Sequence, residues 1–208
     1  MKEYSKLFFA LIFSAWSCAA QQSTTAAKPK EWKFAIANNL YLIRNNMYAS
    51  PSFATDKKHL HLEARYNYEG METGSIFGGY NVSIGHQLKI NATPILGVVF
   101  GNKKGIAPGL LLDTYYRKLN LYSESEYLVD YSGKESSYYY TWSELTIAPT
   151  GWMKFGMAIQ RTKLYQTNLD IQRGVSLGFT KKFLTVTGYL FNMGWDNPLG
   201  ILRVAAKF

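Results

Sequence analysis

Ten stretches of this chain, 9 to 14 residues each, alternate apolar and polar residues, long enough for a tilted strand to cross a bilayer, which takes about 9–11. They run 58–68, 73–85, 88–101, 107–117, 119–131, 138–148, 152–163, 172–180, 183–193 and 199–208. Successive strand side chains point to opposite sides of a sheet, so each stretch offers one apolar and one polar face. Leu60, Leu62, Ala64, Tyr66 and Tyr68 oppose His59, His61, Glu63, Arg65 and Asn67. Leu88, Ile90, Ala92, Leu96, Val98 and Phe100 oppose Lys89, Asn91 and Thr93, and Met153, Phe155, Met157 and Ile159 oppose Lys154, Gly156, Ala158 and Gln160. This pattern predicts an all-β, antiparallel transmembrane barrel of about 10 strands with its apolar face on lipid.

The connections are 69–72, 86–87, 102–106, Lys118, 132–137, 149–151, 164–171, 181–182 and 194–198, and longer links alternate with shorter ones throughout. Transmembrane barrels have short turns at the periplasmic rim and longer loops outside. With the C-terminus in the periplasm, every short link falls on that side, and an even strand count returns both barrel ends there. A β-sandwich has no physical reason to show this asymmetry.

The N-terminus carries Lys2 and Lys6, the apolar run from Leu7 to Trp16, and then Ser17, Cys18, Ala19 and Ala20. These are the three regions of an export signal, with cleavage expected after Ala20, so residues 1–20 are read as a signal peptide. Cys18 is the single cysteine. Trp16 sits badly in a lipoprotein signal, and cleavage after Ala20 leaves no thiol or disulfide chemistry. At the other end, Leu202, Val204, Ala206 and the terminal Phe208 share one face of the last stretch, opposite Arg203 and Lys207.

Together, the signal, the ten stretches and the terminal aromatic resemble the small Gram-negative outer-membrane β-barrel proteins. In that family the last strand ends in an aromatic residue recognised by the barrel-insertion machinery. The resemblance is one of pattern, over residues 58–208 and the signal. It implies an outer-membrane location, lipid and lipopolysaccharide as neighbours, and a barrel-insertion signal at Leu202, Val204, Ala206 and Phe208. A periplasmic or secreted β-sandwich or lipocalin-like binding protein is the alternative fold.

Composition agrees with a membrane barrel. Sixteen Tyr, five Trp and twelve Phe suit two membrane–water interfaces. The formal charge of +9 falls by only one unit when the signal is removed with Lys2, Glu3 and Lys6. Such an excess raises nucleic acid as a partner, but export and the lack of a phosphate loop or nucleic-acid module argue against it. Anionic headgroups and lipopolysaccharide are the acidic surfaces an exported barrel meets. Lys103 and Lys104 are placed in an external loop, and Lys181 and Lys182 in a periplasmic turn, where a polar hairpin suffices to explain them.

Residues 21–57 fall outside the ten-strand plan. The stretch 21–30 is small, polar and proline-bearing, as a linker is. Residues 32–47 are apolar without clean alternation. Three placements are open: a helix or turn inside the lumen, which is favoured; two short extra strands, giving twelve; or a periplasmic segment. Arg44, the single charge between Lys33 and Asp56, is expected to enter the lumen as part of a plug and pair with acidic residues there.

On this parity Glu63, Asp113, Glu124, Glu126, Asp130 and Glu144 point inward against Arg65, Lys89, Arg117, Lys154, Arg203 and Lys207. The lumen is then formally neutral. Glu63, Arg65 and Arg203 fall on the first and last strands, which meet when a ten-stranded barrel closes, while Asp113, Glu124, Glu126 and Glu144 form an acidic wall. A salt-bridged polar core is the favoured reading, since small barrels are packed with side chains. A selective water path is the second and a cation or metal site the weakest, because hard cations need several converging oxygens.

The functional expectation is a monomeric, porin-like barrel, a narrow channel or a structural surface protein, without cofactor or metal. A lipid-modifying barrel enzyme is the alternative. His59, His61 and His86 all fall toward the periplasmic end, and no nucleophile–base pair stands at supporting spacing.

Overall fold

The computed structural model describes residues 31–43, 46–161, 171–194 and 198–208. Its strands are β1 (Lys33–Ile43), β2 (Asn46–Lys57), β3 (Leu60–Tyr66), β4 (Thr73–Tyr80), β5 (Val82–Ile84), β6 (Leu88–Gly101), β7 (Gly105–Tyr116), β8 (Leu119–Asp130), β9 (Tyr138–Ile147), β10 (Met153–Arg161), β11 (Gln172–Lys181), β12 (Leu184–Phe191) and β13 (Leu199–Lys207). One 3-10 turn, Lys134–Ser136, lies between β8 and β9.

Apart from β4 and β5, which both pair with β6, consecutive strands pair antiparallel, and β1 also pairs with β13, from Ala35 opposite Lys207 to Leu42 opposite Gly200. The sheet therefore closes on itself, which removes both edges. β4 and β5 are two halves of one stave, because both pair with β6 and the register is unbroken, from Gly79 opposite Ile95 to Val82 opposite Ala92. Pro94 sits within that gap and has no N–H to donate, which accounts for the interruption at Asn81. Twelve staves result.

The extra pair is β1 and β2, and this overturns the expectation of a plug. Residues 33–43 and 46–57 are barrel wall, paired from Lys33 opposite Asp56 to Ile43 opposite Asn46. Their alternation is blurred in sequence because the inward positions of β1 include Ala35, Ala37 and Tyr41, and β2 contains Pro51. Arg44, the export signal with Cys18 and Ala20, and the linker 21–30 lie outside the described residues.

The outward faces carry Ile36, Leu62, Ile76, Leu96, Val98, Met157, Leu177 and Leu190, all exposed. The interior holds Arg65, Glu124, Glu126, Gln160 and Gln172, all buried. This inverts the distribution of a soluble barrel or sandwich and matches a sheet solvated by lipid. Both ends of the barrel wall reach the same rim, where Phe34 and Phe208 exchange backbone hydrogen bonds of 3.1 and 2.9 Å. That rim, called here the near rim, carries the links 58–59, 85–87, 117–118, 148–152 and 182–183. The far rim carries, among others, the loops 67–72 and 131–137.

Packing is uneven along the barrel axis. Two apolar clusters occupy the half toward the far rim: Tyr41, Tyr189, Phe191, Leu199 and Ile201 in one, and Phe77, Ile95, Val99, Leu128, Tyr138 and Tyr140 in the other. Trp142 packs against both and meets Tyr189 and Phe191 edge-on, at centroid distances of 5.1 and 5.4 Å. Gly97 makes room for this packing, since a Cβ there would stand 2.4 Å from the Phe77 ring.

Candidate functional site in the barrel lumen

The near half of the lumen is a cavity of about 530 Å³. Its charged wall is formed by Asp56, His61, Glu63, Asp113, Glu144, Lys154, Arg203 and Lys207. Alternation puts every second side chain of each strand into this space, so the wall collects residues from all around the barrel.

A single guanidinium organises the closed half above it. Arg65, on β3, extends across the lumen with a side chain wholly shielded from solvent. Its Nη2 stands 2.8 Å from Glu63 Oε2, and its Nη1 lies 2.8 Å from Glu124 Oε1, 3.0 Å from Glu126 Oε2 and 3.7 Å from Glu69 Oε1. Two aromatic faces flank the cation, Phe77 at 4.4 Å and Tyr68 at 4.5 Å from Cζ. The phenols of Tyr68 and Tyr122 each donate to Glu124 Oε2 at 3.0 Å, and Ser75 Oγ donates to Glu69 at 2.7 Å. Tyr138 donates to the Glu69 backbone carbonyl. Burial raises the carboxyl of Glu69, in the 67–72 loop, above the ordinary carboxylate range.

The remaining acids have separate partners. Glu144 accepts from Ser176 and Tyr189, both at 3.0 Å, and lies 3.6 Å from Lys154 Nζ. Asp113 accepts from Tyr115 at 2.6 Å and Asn120 at 2.5 Å. Asp56 pairs with His61 Nδ1 at 2.9 Å and accepts from Asn81 at 2.7 Å. His61 Nε2 faces Glu63 Oε2 at 3.5 Å. Arg203 differs from all of these. Its Nη1 donates to Asn39 at 3.2 Å, and it has no ion pair among the described residues.

Several expectations need correction. Glu63, Arg65, Glu124 and Glu126 do converge, but Arg203 does not join them, because β13 closes onto β1 and two strands separate it from β3. The acidic wall is not one surface: Glu124 and Glu126 belong to the Arg65 cluster, Glu144 to Lys154, and Asp113 stands apart. Lys89 and Arg117 are exposed at the near rim, and Arg117 stacks on Tyr116 at 5.4 Å. Asp130 sits at the far rim, 3.7 Å from Lys103. Tyr68, assigned to the lipid face, turns inward, because β3 ends at Tyr66 and Asn67 adopts a positive φ of 54°.

Asp56 and Glu69 were missed, one in the segment read as a plug and the other in a connecting loop. The six-to-six charge balance therefore fails. Asp56, Glu63, Glu69, Asp113, Glu124, Glu126 and Glu144 face Arg65, Lys154, Arg203 and Lys207, and a charge on His61 still leaves carboxylates in excess. No cluster of His, Cys, Asp and Glu able to hold a metal occurs among the described residues. At the last strand, Leu202 and Val204 point outward, and the exposed Phe208 stacks on Phe183 at 5.4 Å.

No family model matches the chain, and no curated protein matches it. Solved structures do. The chain is similar to the KdgM porin, with a TM-score of 0.63 and 11% identity over 84% of this chain and 99% of that one. The two barrels share a fold. A second structure, the KdgM porin in complex with disordered oligogalacturonate, matches over the same shares of both chains at a TM-score of 0.62 and 11% identity. At such identity the likeness concerns the fold, namely the closed antiparallel barrel.

Proposed function

We propose that this protein is a monomeric outer-membrane barrel that acts as a narrow, cation-preferring channel, with its near rim in the periplasm. The observation that carries this reading is the excess of carboxylates in the lumen as a whole, seven against four Lys and Arg side chains, inside a barrel whose outer surface is apolar. Fixed charges in a narrow, poorly screened space set ion preference more strongly than the total charge of the protein. The basic total resides in turns and loops instead. The oligogalacturonate in the KdgM porin complex is itself a carboxylate, which a lumen with more acids than bases would repel, so this reading favours a cationic or neutral substrate.

The lumen as described is constricted at Arg65, and conduction requires that cluster to rearrange or water to thread past it. Assembly follows the usual route for such barrels, with Phe208 and the Leu202, Val204 and Ala206 face presented to the insertion machinery, and lipid and lipopolysaccharide as surroundings. A lipid-modifying enzyme is the weaker reading, because the Asp56–His61 pair aims its free nitrogen at Glu63 and not at a hydroxyl nucleophile.

Planar-bilayer recording under a salt gradient tests the proposal. The wild-type protein is expected to give a cation-selective reversal potential that weakens in the Glu124→Gln, Glu126→Gln double variant. Anion selectivity would refute the charge reading. Silence in both proteins would leave a closed structural barrel.

A further inference from the structure

The near rim is basic in a way the lumen does not explain. Lys57, Lys58, Arg117, Lys118, Lys181 and Lys182 are all exposed there, and none lies within ion-pair distance of a carboxylate among the described residues. At the far rim, by contrast, Lys103 faces Asp130.

Backbone geometry gives a second, independent observation. Lys58, Arg117 and Lys182 occupy left-handed conformations, with φ of 56°, 54° and 56°, in three separate near-rim turns. Glycine and asparagine are the comfortable residues in that region, since a side chain with a Cβ is strained there. The fold uses Gly85 in another turn of the same rim and Asn67, Asn192 and Glu72 at the far rim, where the charged residue in this conformation is an acid. Three long cations placed where a small residue fits better point to a demand for charge at the turn tips.

Aromatic rings lie at the same level. Lys57 Nζ sits 4.9 Å from the Trp32 ring and Arg117 Cζ 5.4 Å from the Tyr116 ring, while Phe183 and Trp152 are exposed beside them. Such rings settle at the headgroup depth of a bilayer, which puts the cations next to lipid phosphates.

We propose that the near rim is a docking collar for the phosphate headgroups of anionic phospholipid, with Lys58, Arg117 and Lys182 as its principal contacts and Lys57, Lys118 and Lys181 beside them. The proposal rests on the reading that the barrel spans a bilayer. The periplasmic assignment of this rim makes the lipid that of the inner leaflet.

The test reconstitutes the full chain into nanodiscs of phosphatidylcholine mixed with phosphatidylglycerol and counts co-purifying lipid by native mass spectrometry. The wild-type barrel is expected to retain phosphatidylglycerol preferentially, with the preference weakened by salt. Lys58→Asn, Arg117→Asn and Lys182→Asn, which suit the left-handed turns and so preserve folding, should lower that preference by about fivefold for each cation removed. Unselective retention by the wild type, or full preference in the triple variant, would overturn the collar. Displacement of the lipid by dissolved glycerol phosphate at equal phosphate concentration would assign the rim to soluble phosphate and also overturn it. Failure of the wild-type chain to enter the mixed bilayer would instead overturn the membrane-spanning reading.

Discussion

Arg65 on β3 and Glu124 on β8 meet inside the barrel, Nη1 to Oε1 at 2.8 Å, although three staves lie between them around the wall on the shorter side. The contact ties opposite sides of the cylinder through its interior. Glu63, Glu69 and Glu126 surround the same guanidinium, so one cation offsets four carboxylates, and loss of that cation leaves all of them buried without their shared partner.

Arg65→Ala is therefore expected to destabilise the barrel by about 3–5 kcal/mol, the cost of breaking a buried ion pair from one side. Urea unfolding of the refolded protein in lipid measures this. Unaltered stability would mean that water or a counter-ion already neutralises the cluster.

Arg203→Gln should behave in the opposite way. With a single hydrogen bond to Asn39 and no ion pair among the described residues, Arg203 has little to lose in stability, within about 1 kcal/mol. Its removal takes one of the few positive charges from the cavity wall. The reversal potential in a salt gradient should shift further toward the cation limit, while the unfolding midpoint stays close to that of the wild type.

Gly97→Val is expected to cost about 1–3 kcal/mol through overpacking, because the added Cβ would stand 2.4 Å from the Phe77 ring. Phe77 in turn supports the Arg65 guanidinium at 4.4 Å. Pairing Gly97→Val with Phe77→Leu should recover part of the loss, and a double-mutant cycle on unfolding free energies checks the coupling.

Phe208→Ala, or deletion of Phe208, should lower the amount of protein in the outer membrane without altering export. Among the described residues the exposed ring stacks on Phe183 alone, so the effect belongs to assembly more than to the stability of the finished barrel. Membrane fractionation with heat-modifiable gel mobility is the measurement. Equal yields of folded protein would remove Phe208 from the insertion signal.

Strand parity was legible in the sequence wherever the two faces differ in polarity. In β3, β6 and β10 the polar side chains that alternate with Leu, Val and Phe turn inward in the structure, because a residue must face either lipid or lumen and the pleat leaves no third direction. Parity failed to reveal β1 and β2, whose inward Ala35, Ala37 and Tyr41 carry no charge to mark the lumen side. Tyr68 escaped it because a left-handed Asn67 ends the alternation one residue earlier.

The sequence by itself thus determined that the chain forms a barrel and that Glu63, Arg65, Asp113, Glu124, Glu126, Glu144, Lys154 and Arg203 enter it, though not Asp56 and Glu69. Only the tertiary structure decided which of those charges meet. Closure between β1 and β13 places two strands between Arg203 and the strand of Arg65 and brings Glu124, Glu126 and Glu69 to that one guanidinium. Contacts across a lumen depend on strand number and register around the whole circumference, and no local window of sequence contains that information.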